Sequence, residues 1–170
     1  MTSYQNKSRV INFGPVALLY YLCISETDTH FENYFEILSF NIQLIIIYFW
    51  SLKKPEILGN GNIFFAGLVN DVVMGTPLGL SSITYLAISF VATYVKNMTV
   101  NTRITTDWFT FFIAILLSNL IFFVLISRFS EIKATYTELS YNTFFTLIFF
   151  PFFWFLFTIY NSIITSGKNV

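Results

Sequence analysis

Six apolar runs follow one another along this chain, separated by short polar or charged connectors. The runs lie at roughly residues 11–24, 34–52, 63–74, 78–95, 108–127 and 141–164. They are continuous rather than alternating with a period of two, and a segment inside a bilayer must satisfy its backbone polar groups within a helix or a closed barrel. The pattern therefore predicts six transmembrane helices rather than a β-barrel.

The third and sixth runs differ from an uninterrupted, full-length transmembrane helix. The third has only about twelve residues, which at a helical rise of 1.5 Å per residue covers roughly 18 Å, well short of a hydrocarbon core. We expect it to be a broken, tilted or half-inserted helix. In the sixth run, Pro151 lacks a backbone N–H and predicts a kink. Trp154 lies away from the span ends, where interfacial aromatics collect, so we expect it to pack between helices or to face lipid.

The composition places the chain among integral membrane proteins. Of its 170 residues 55% are hydrophobic and only 11% are charged, and the mean hydropathy is +0.67. Because each span needs about 20 apolar residues, this length suits five or six spans with short loops. We therefore expect a single all-α membrane domain over residues 1–170, folded as a compact bundle of about six helices.

The basic residues in the connectors predict the orientation, since Lys and Arg are enriched in cytoplasmic loops. With the N-terminus in the cytoplasm, the seven cytoplasmic Lys and Arg residues are Lys7, Arg9, Lys53, Lys54, Lys96, Arg103 and Lys168. Only Arg128 and Lys133 then lie outside. The first outer connector also carries acids without Lys or Arg. We expect a multi-pass protein with both termini in the cytoplasm and lipid around it.

Several function classes find no support in the residues. The formal net charge is zero and there is no basic stripe, so we expect no nucleic-acid partner. Cys23 is the only cysteine and lies in an apolar run, while His30 is the only histidine, with no second ligand at metal-binding spacing. No sequence motif of a nucleophilic or metal-dependent hydrolase occurs. We predict no catalytic residue, no metal and no cofactor.

One segment combines an acid with glycines and a proline inside the apolar pattern. On a helix Gly67, Asp71 and Gly75 are spaced by four residues and share a face, where small residues permit close approach of another backbone. Thr76 and Pro77 fit an N-cap and a first-turn proline, so we expect the fourth helix to start at once. Gly79 follows two residues after the proline. Asp71 would lie about 7 Å from this turn along the helix axis.

Two interpretations of Asp71 stay open. In the first, the carboxylate is a polar anchor that binds a partner helix or an extracytoplasmic segment, because ionisable residues within membranes are usually functional. In the second, it bonds to Asn70, Thr76 or a nearby backbone N–H inside its own bundle.

The same residues carry a resemblance to a known family. Gly67-Leu-Val-Asn-Asp71, followed by Gly75, Pro77-Leu and Gly79, resembles the signature of the rod shape-determining MreD proteins. Trp50-Ser-Leu-Lys-Lys-Pro55-Glu56 resembles the end of that family's second helix. Asn70 beside the acid is a departure. Length and the six-span layout also match, so the resemblance covers essentially the whole chain.

The resemblance implies a function and a set of partners. It implies a non-catalytic scaffold of the bacterial elongation machinery in the cytoplasmic (inner) membrane, which binds the bitopic protein MreC and helps control cell shape and peptidoglycan synthesis. Through MreC it would work with the actin-like MreB, the glycosyltransferase RodA and a class B penicillin-binding transpeptidase. The partner-binding and packing motif would be Gly67, Asp71, Gly75, Pro77 and Gly79. The expected architecture is similar to the substrate-binding subunits of energy-coupling-factor transporters.

That architectural likeness supplies the alternative, a substrate-binding subunit of a vitamin or metal transporter. Such a subunit needs polar side chains around a cavity, and the spans offer a few: Asn41, Gln43, Ser118 and Asn119. These side chains equally suit interhelical hydrogen bonds, each worth about 0.6 kcal/mol. The sequence leaves both interpretations open.

Overall fold

The computed structural model describes residues 2–25, 41–98, 103–129 and 136–166, and within them it describes the side chains of 13–25, 41–98, 103–129 and 139–162. Those parts of the chain are helical, with no strand. The six helices are α1 (Thr2–Ser25), α2 (Ile42–Lys53), α3 (Pro55–Met74), α4 (Leu80–Met98), α5 (Ile104–Phe129) and α6 (Tyr136–Ser166). The prediction of an all-α bundle with six helices is confirmed.

Helix α2 forms the centre of the bundle. Every residue from Gln43 to Leu52 is buried, and α2 packs against α1, α3, α4 and α6. A helix that is buried on every side has no surface facing water, which fits the absence of a polar face in α2. Its aromatic residues hold α5 and α6 in place: the Tyr48 ring lies 5.1 Å from that of Phe111 and 6.0 Å from that of Phe150.

The third helix corrects the predicted span of residues 63–74. Helix α3 begins at Pro55, directly after Lys54, and its 20 residues are enough to cross a membrane. It is interrupted at Gly59, whose φ of 64° and ψ of 142° are not helical. The short length was therefore wrong, and the interruption at Gly59 lies before the predicted run of residues 63–74 rather than inside it. The first turns went unrecognised because Glu56, two asparagines and two glycines lower the hydropathy there.

Three helical segments in the described parts of the chain are long and apolar enough to span a membrane: Pro55–Met74, Ile104–Phe129 and Leu139–Ser162. Phe13–Ser25 and Ile42–Lys53 are shorter apolar helices. Helix α4 has 19 residues but carries many hydroxyl side chains, most of them buried. It packs against α2, α3 and α5, so its polar groups face other helices rather than lipid. The fold is an all-α membrane bundle.

The remaining boundaries differ from the predicted runs by a few residues, except that α1 begins near the start of the chain. The predicted second span also included residues 34–40, which lie outside the described residues. Pro151 lies inside α6. Trp154 packs between helices, as one of the two expectations had it, because its ring lies 6.5 Å from Phe49 and its N–H reaches Asp107.

Candidate functional site

The end of α3 is shaped by a glycine in the left-handed region. Gly75 is the C-cap with φ of 65°, and its backbone N–H donates to the carbonyl oxygen of Asp71. Thr76 N–H donates to the same oxygen at 3.0 Å. Residues other than glycine adopt this φ at a cost, so the position favours glycine. Because nothing lies within 4 Å of the point where a Gly75 Cβ would sit, this glycine is explained by its conformation and not by packing within the chain.

The side chain of Asp71 turns from α3 toward the start of α4 and accepts three hydrogen bonds. Its Oδ2 accepts from Gly79 N–H at 2.7 Å, and its Oδ1 accepts from Ser81 N–H at 2.9 Å and from the Thr76 hydroxyl at 3.0 Å. The first backbone N–H groups of a helix have no partner inside it, and a negative charge is favourable there. Asp71 therefore caps α4 from the preceding helix, and its own exposure is 0%.

This capping corrects the prediction for Thr76 and Pro77. Helix α4 begins at Leu80 and not directly after the proline, so Thr76 is not its N-cap. Instead Thr76 and Pro77 form a turn, with Leu80 N–H donating to the Pro77 carbonyl oxygen at 3.2 Å. Gly79 has φ of 95°, which lets its N–H point back at Asp71. The hydrogen bonds match the second interpretation of Asp71, in which its partners belong to its own bundle.

Close contact between α3 and α4 depends on Gly67. A Cβ added to Gly67 would overlap the Cα atom and the backbone nitrogen of Ser82. The Ser82 hydroxyl donates to the Phe64 carbonyl oxygen at 2.8 Å, and the Asn70 amide donates to the Ser81 hydroxyl at 3.1 Å. The expected close approach of a second backbone is thus found for Gly67, and that backbone is α4.

The turn between α3 and α4 presents apolar side chains around this buried network. Val72, Met74 and Leu78 are 69%, 52% and 72% exposed, while Asp71 beneath them is inaccessible. We call these three residues the apolar rim. All five motif residues lie where α3 meets α4: Gly67 allows the close contact with Ser82, and Asp71, Gly75, Pro77 and Gly79 form the turn and its hydrogen bonds. Binding of a partner by this segment stays a prediction.

A second charged cluster, which was not predicted from the sequence, lies near the start of α3, about one helix length from the turn. Asp107, in the first turn of α5, is 0% exposed. Its Oδ2 accepts from Lys53 Nζ at 3.0 Å and from Trp154 Nε1 at 3.1 Å. Lys53 Nζ also lies 5.7 Å from the centre of the Trp154 ring. This cluster joins α2, α5 and α6.

The sequence contained only part of the information needed to predict this cluster. An acid directly before Trp108, at the head of an apolar run, had no partner in its own segment. Nothing in the sequence indicated that Lys53, one of the basic residues assigned to the cytoplasmic connectors, would be its partner from 54 residues away.

Of the four polar side chains proposed for a transporter cavity, Gln43 is buried in α2, and the other three bond to other helices or to a helix end. Ser118 donates to the Thr84 carbonyl oxygen at 3.1 Å, and Asn119 donates to the Thr143 hydroxyl at 2.6 Å. Asn41 caps α2 by accepting from Leu44 N–H at 3.2 Å. In the described part of the chain, no group of three or more His, Cys, Asp or Glu side chains is placed to hold a metal ion. His30 lies outside the described residues.

Comparison with known proteins gives one match. A family model, described as rod shape-determining protein MreD, matches residues 9–166. No curated protein and no solved structure matches the chain. The match covers nearly all of the 170 residues, including the whole turn between α3 and α4.

Proposed function

The chain belongs to the MreD family of rod shape-determining proteins, and on that premise we propose that it is a non-catalytic scaffold that binds MreC in the bacterial elongation complex. Family membership supports a role in determining rod shape in a membrane. The family is one of structural membrane proteins rather than of known enzymes. Binding of MreC and influence on peptidoglycan synthesis are the proposed, more specific steps.

The observation that carries the proposal is the rigid turn with its apolar rim. Three hydrogen bonds to Asp71 and two positive-φ glycines fix the backbone between α3 and α4. Met74 and Leu78 are therefore held at the surface by a backbone that has little conformational freedom. A preorganised surface loses little entropy when a partner binds. We infer that MreC contacts the rim, and that Asp71 acts by positioning it rather than by touching MreC.

The proposed location follows from the charges. Lys53, Lys54, Lys96 and Arg103 all lie at the end of the bundle opposite the rim. Because basic residues are enriched on the cytoplasmic side, that end would lie at the cytoplasmic face of a bacterial inner membrane. Both chain termini would then lie in the cytoplasm. The rim would then face outward, near the point where the MreC helix leaves the membrane.

The further partners are proposed through MreC. The rod system implied by the family includes MreB in the cytoplasm, with RodA and a class B transpeptidase as the enzymes that build the wall. The scaffold would contribute helix packing and no chemistry. The transporter alternative receives no support from the family match, and three of the four polar side chains that suggested it, Asn41, Ser118 and Asn119, are engaged in bonds between helices or at a helix end.

Recovery of partners from native membranes tests this function. The tagged chain is solubilised in mild detergent and its bound proteins are identified by mass spectrometry. We expect MreC to be recovered well above the level seen with an unrelated multi-pass protein carrying the same tag. Recovery of an ATPase pair without MreC would instead support the transporter alternative and overturn the proposal.

A further inference from the structure

Helix α6 is the least buried of the three long apolar helices in the described part of the chain. Only 11% of its apolar stretch is buried, compared with 28% in α5 and 33% in α3. A small number of contacts among the described residues therefore determines where α6 lies.

Pro151 divides this helix into a first half (residues 136–150) and a second half (residues 152–166). A proline has no backbone N–H, so the Leu147 carbonyl oxygen, four residues earlier, lacks its usual helical donor. The Trp108 indole of α5 takes that place, because its Nε1 donates to the Leu147 carbonyl oxygen at 3.1 Å. The interrupted point of α6 is therefore held from a neighbouring helix.

The two halves of α6 are attached to the bundle through different groups. In the first half, the Thr146 hydroxyl accepts from the Asn41 backbone N–H at 2.9 Å. In the second half, the Trp154 indole donates to Asp107 Oδ2 at 3.1 Å. One half can therefore change its angle at Pro151 while the other half stays bound.

Asp107 supplies a second, independent observation. Its Oδ1 atom is buried and has no hydrogen-bond partner among the described residues, although Oδ2 accepts from Lys53 and Trp154. A buried acceptor without a donor is unfavourable, the more so on a charged group. Movement of Trp154 away from Asp107 would lose one hydrogen bond but would let water reach the unpartnered oxygen. The gain offsets the loss, so the two arrangements are close in free energy, as a two-state element requires.

We propose that the second half of α6 is a gate that turns about Pro151 and controls the access of water to Asp107. In the closed state Trp154 lies against Asp107, and Trp108 holds the hinge through the Leu147 carbonyl oxygen. Opening breaks both indole hydrogen bonds and hydrates Asp107. The gate lies within one chain and does not depend on the binding of MreC.

Distances from one reference position to the two halves test the gate. Spin labels are placed on Phe90→Cys in α4 and on either Phe144→Cys or Ile159→Cys, all of them exposed positions, while Cys23 is 0% exposed. Double electron–electron resonance measures both distances in liposomes. Trp108→Phe keeps a ring but removes the donor, so we expect the distance to Ile159 to broaden or to gain a second value, and the distance to Phe144 to stay unchanged. No change at Ile159, or a change of the same size at Phe144, would overturn the gate.

Carbodiimide labelling tests the access of water. A water-soluble carbodiimide modifies carboxylates that water reaches, and peptide mass spectrometry measures the rate at each acid. In Trp108→Phe we expect Asp107 to react roughly twofold to tenfold faster, the factor by which one lost hydrogen bond shifts the equilibrium. Glu56, which is exposed, should react at an unchanged rate, and Asp71, which is 0% exposed, should stay protected. Faster reaction of Asp71 as well would indicate general unfolding and count against a gate, as would an unchanged rate at Asp107.

Pro151→Ala separates the hinge from ordinary packing. Alanine restores the backbone N–H, so the Leu147 carbonyl oxygen no longer depends on Trp108. In SDS titration, Trp108→Phe should lower the folding equilibrium constant roughly twofold to tenfold in the natural chain, and clearly less in Pro151→Ala. Phe109→Leu, at a neighbouring α5 position that is 60% exposed, should have the same effect in both backgrounds. If Trp108→Phe costs the same in both backgrounds, the indole does not hold the hinge and the proposal fails.

Discussion

The Oδ2 atom of Asp71 lies 2.7 Å from the backbone nitrogen of Gly79, so an acid near the end of one helix caps the start of the next. This contact explains how a carboxylate is accommodated inside an apolar protein. Its two oxygens accept from two backbone N–H groups and one hydroxyl, which would otherwise lack partners at a helix start. The motif that resembles the family signature is therefore first a device that fixes a turn.

Replacing Asp71 should destabilise the turn before it affects any partner. In Asp71→Leu three donors lose their acceptor, and a hydrogen bond to a charged group contributes about 1.5–3 kcal/mol net of its exchange with water. We expect membrane insertion to continue, but the midpoint of thermal unfolding in detergent should fall by several degrees, and MreC recovery should fall with it. Asp71→Asn keeps one acceptor oxygen and should lie between wild type and Asp71→Leu. Unchanged stability in Asp71→Leu would contradict the capping role.

The rim should separate partner binding from stability. Met74 and Leu78 are exposed, so replacing both with alanine removes little packing within the chain. We expect the double variant to unfold at the wild-type temperature while recovering markedly less MreC from native membranes. Leu116 and Leu120, exposed on α5, are the matched control pair when both are replaced with alanine. Equal MreC recovery by the two double variants would show that the rim is not the contact.

Two glycines on α3 should respond in opposite directions to the same change. A Cβ at Gly67 overlaps the Ser82 backbone, and added volume in a tight contact costs about 1–3 kcal/mol. Gly67→Ala should therefore lower the free energy of unfolding, measured by titration with SDS. In Gly61→Ala the added Cβ lies in open space, so the free energy of unfolding should rise slightly, because alanine has the higher helix propensity. A loss of the same size in both variants would mean that close approach to α4 is not what Gly67 provides.

The sequence was sufficient for the class of fold because hydropathy determines which residues can face lipid. It failed where polar residues lie within a helix: the first turns of α3, with Glu56 and Asn60, were mistaken for a connector. The role of Thr76 was also misjudged. Local capping rules favour Ser or Thr at a helix start, but here an acid ten residues before Ser81 takes that role through tertiary packing. Hydrogen bonds and ion pairs between helices cannot be predicted from the sequence of one helix alone.

The Lys53–Asp107 pair provides the sharpest test of the packing between α2, α5 and α6. Asp107 is 0% exposed, and removing one member of a buried ion pair leaves an uncompensated charge, which typically costs about 3–5 kcal/mol. Lys53→Met should thus destabilise strongly, whereas Lys53→Met combined with Asp107→Leu should recover part of the loss, because no buried charge remains. Unfolding of both single variants and the double variant in SDS gives the coupling energy. Trp154→Phe removes the second donor to Asp107 but keeps an aromatic ring near Lys53 and Phe49, so we expect its loss of stability to be smaller than that of Lys53→Met. If the single and double losses simply add, the two charges do not depend on each other, and the pair is not what joins these helices.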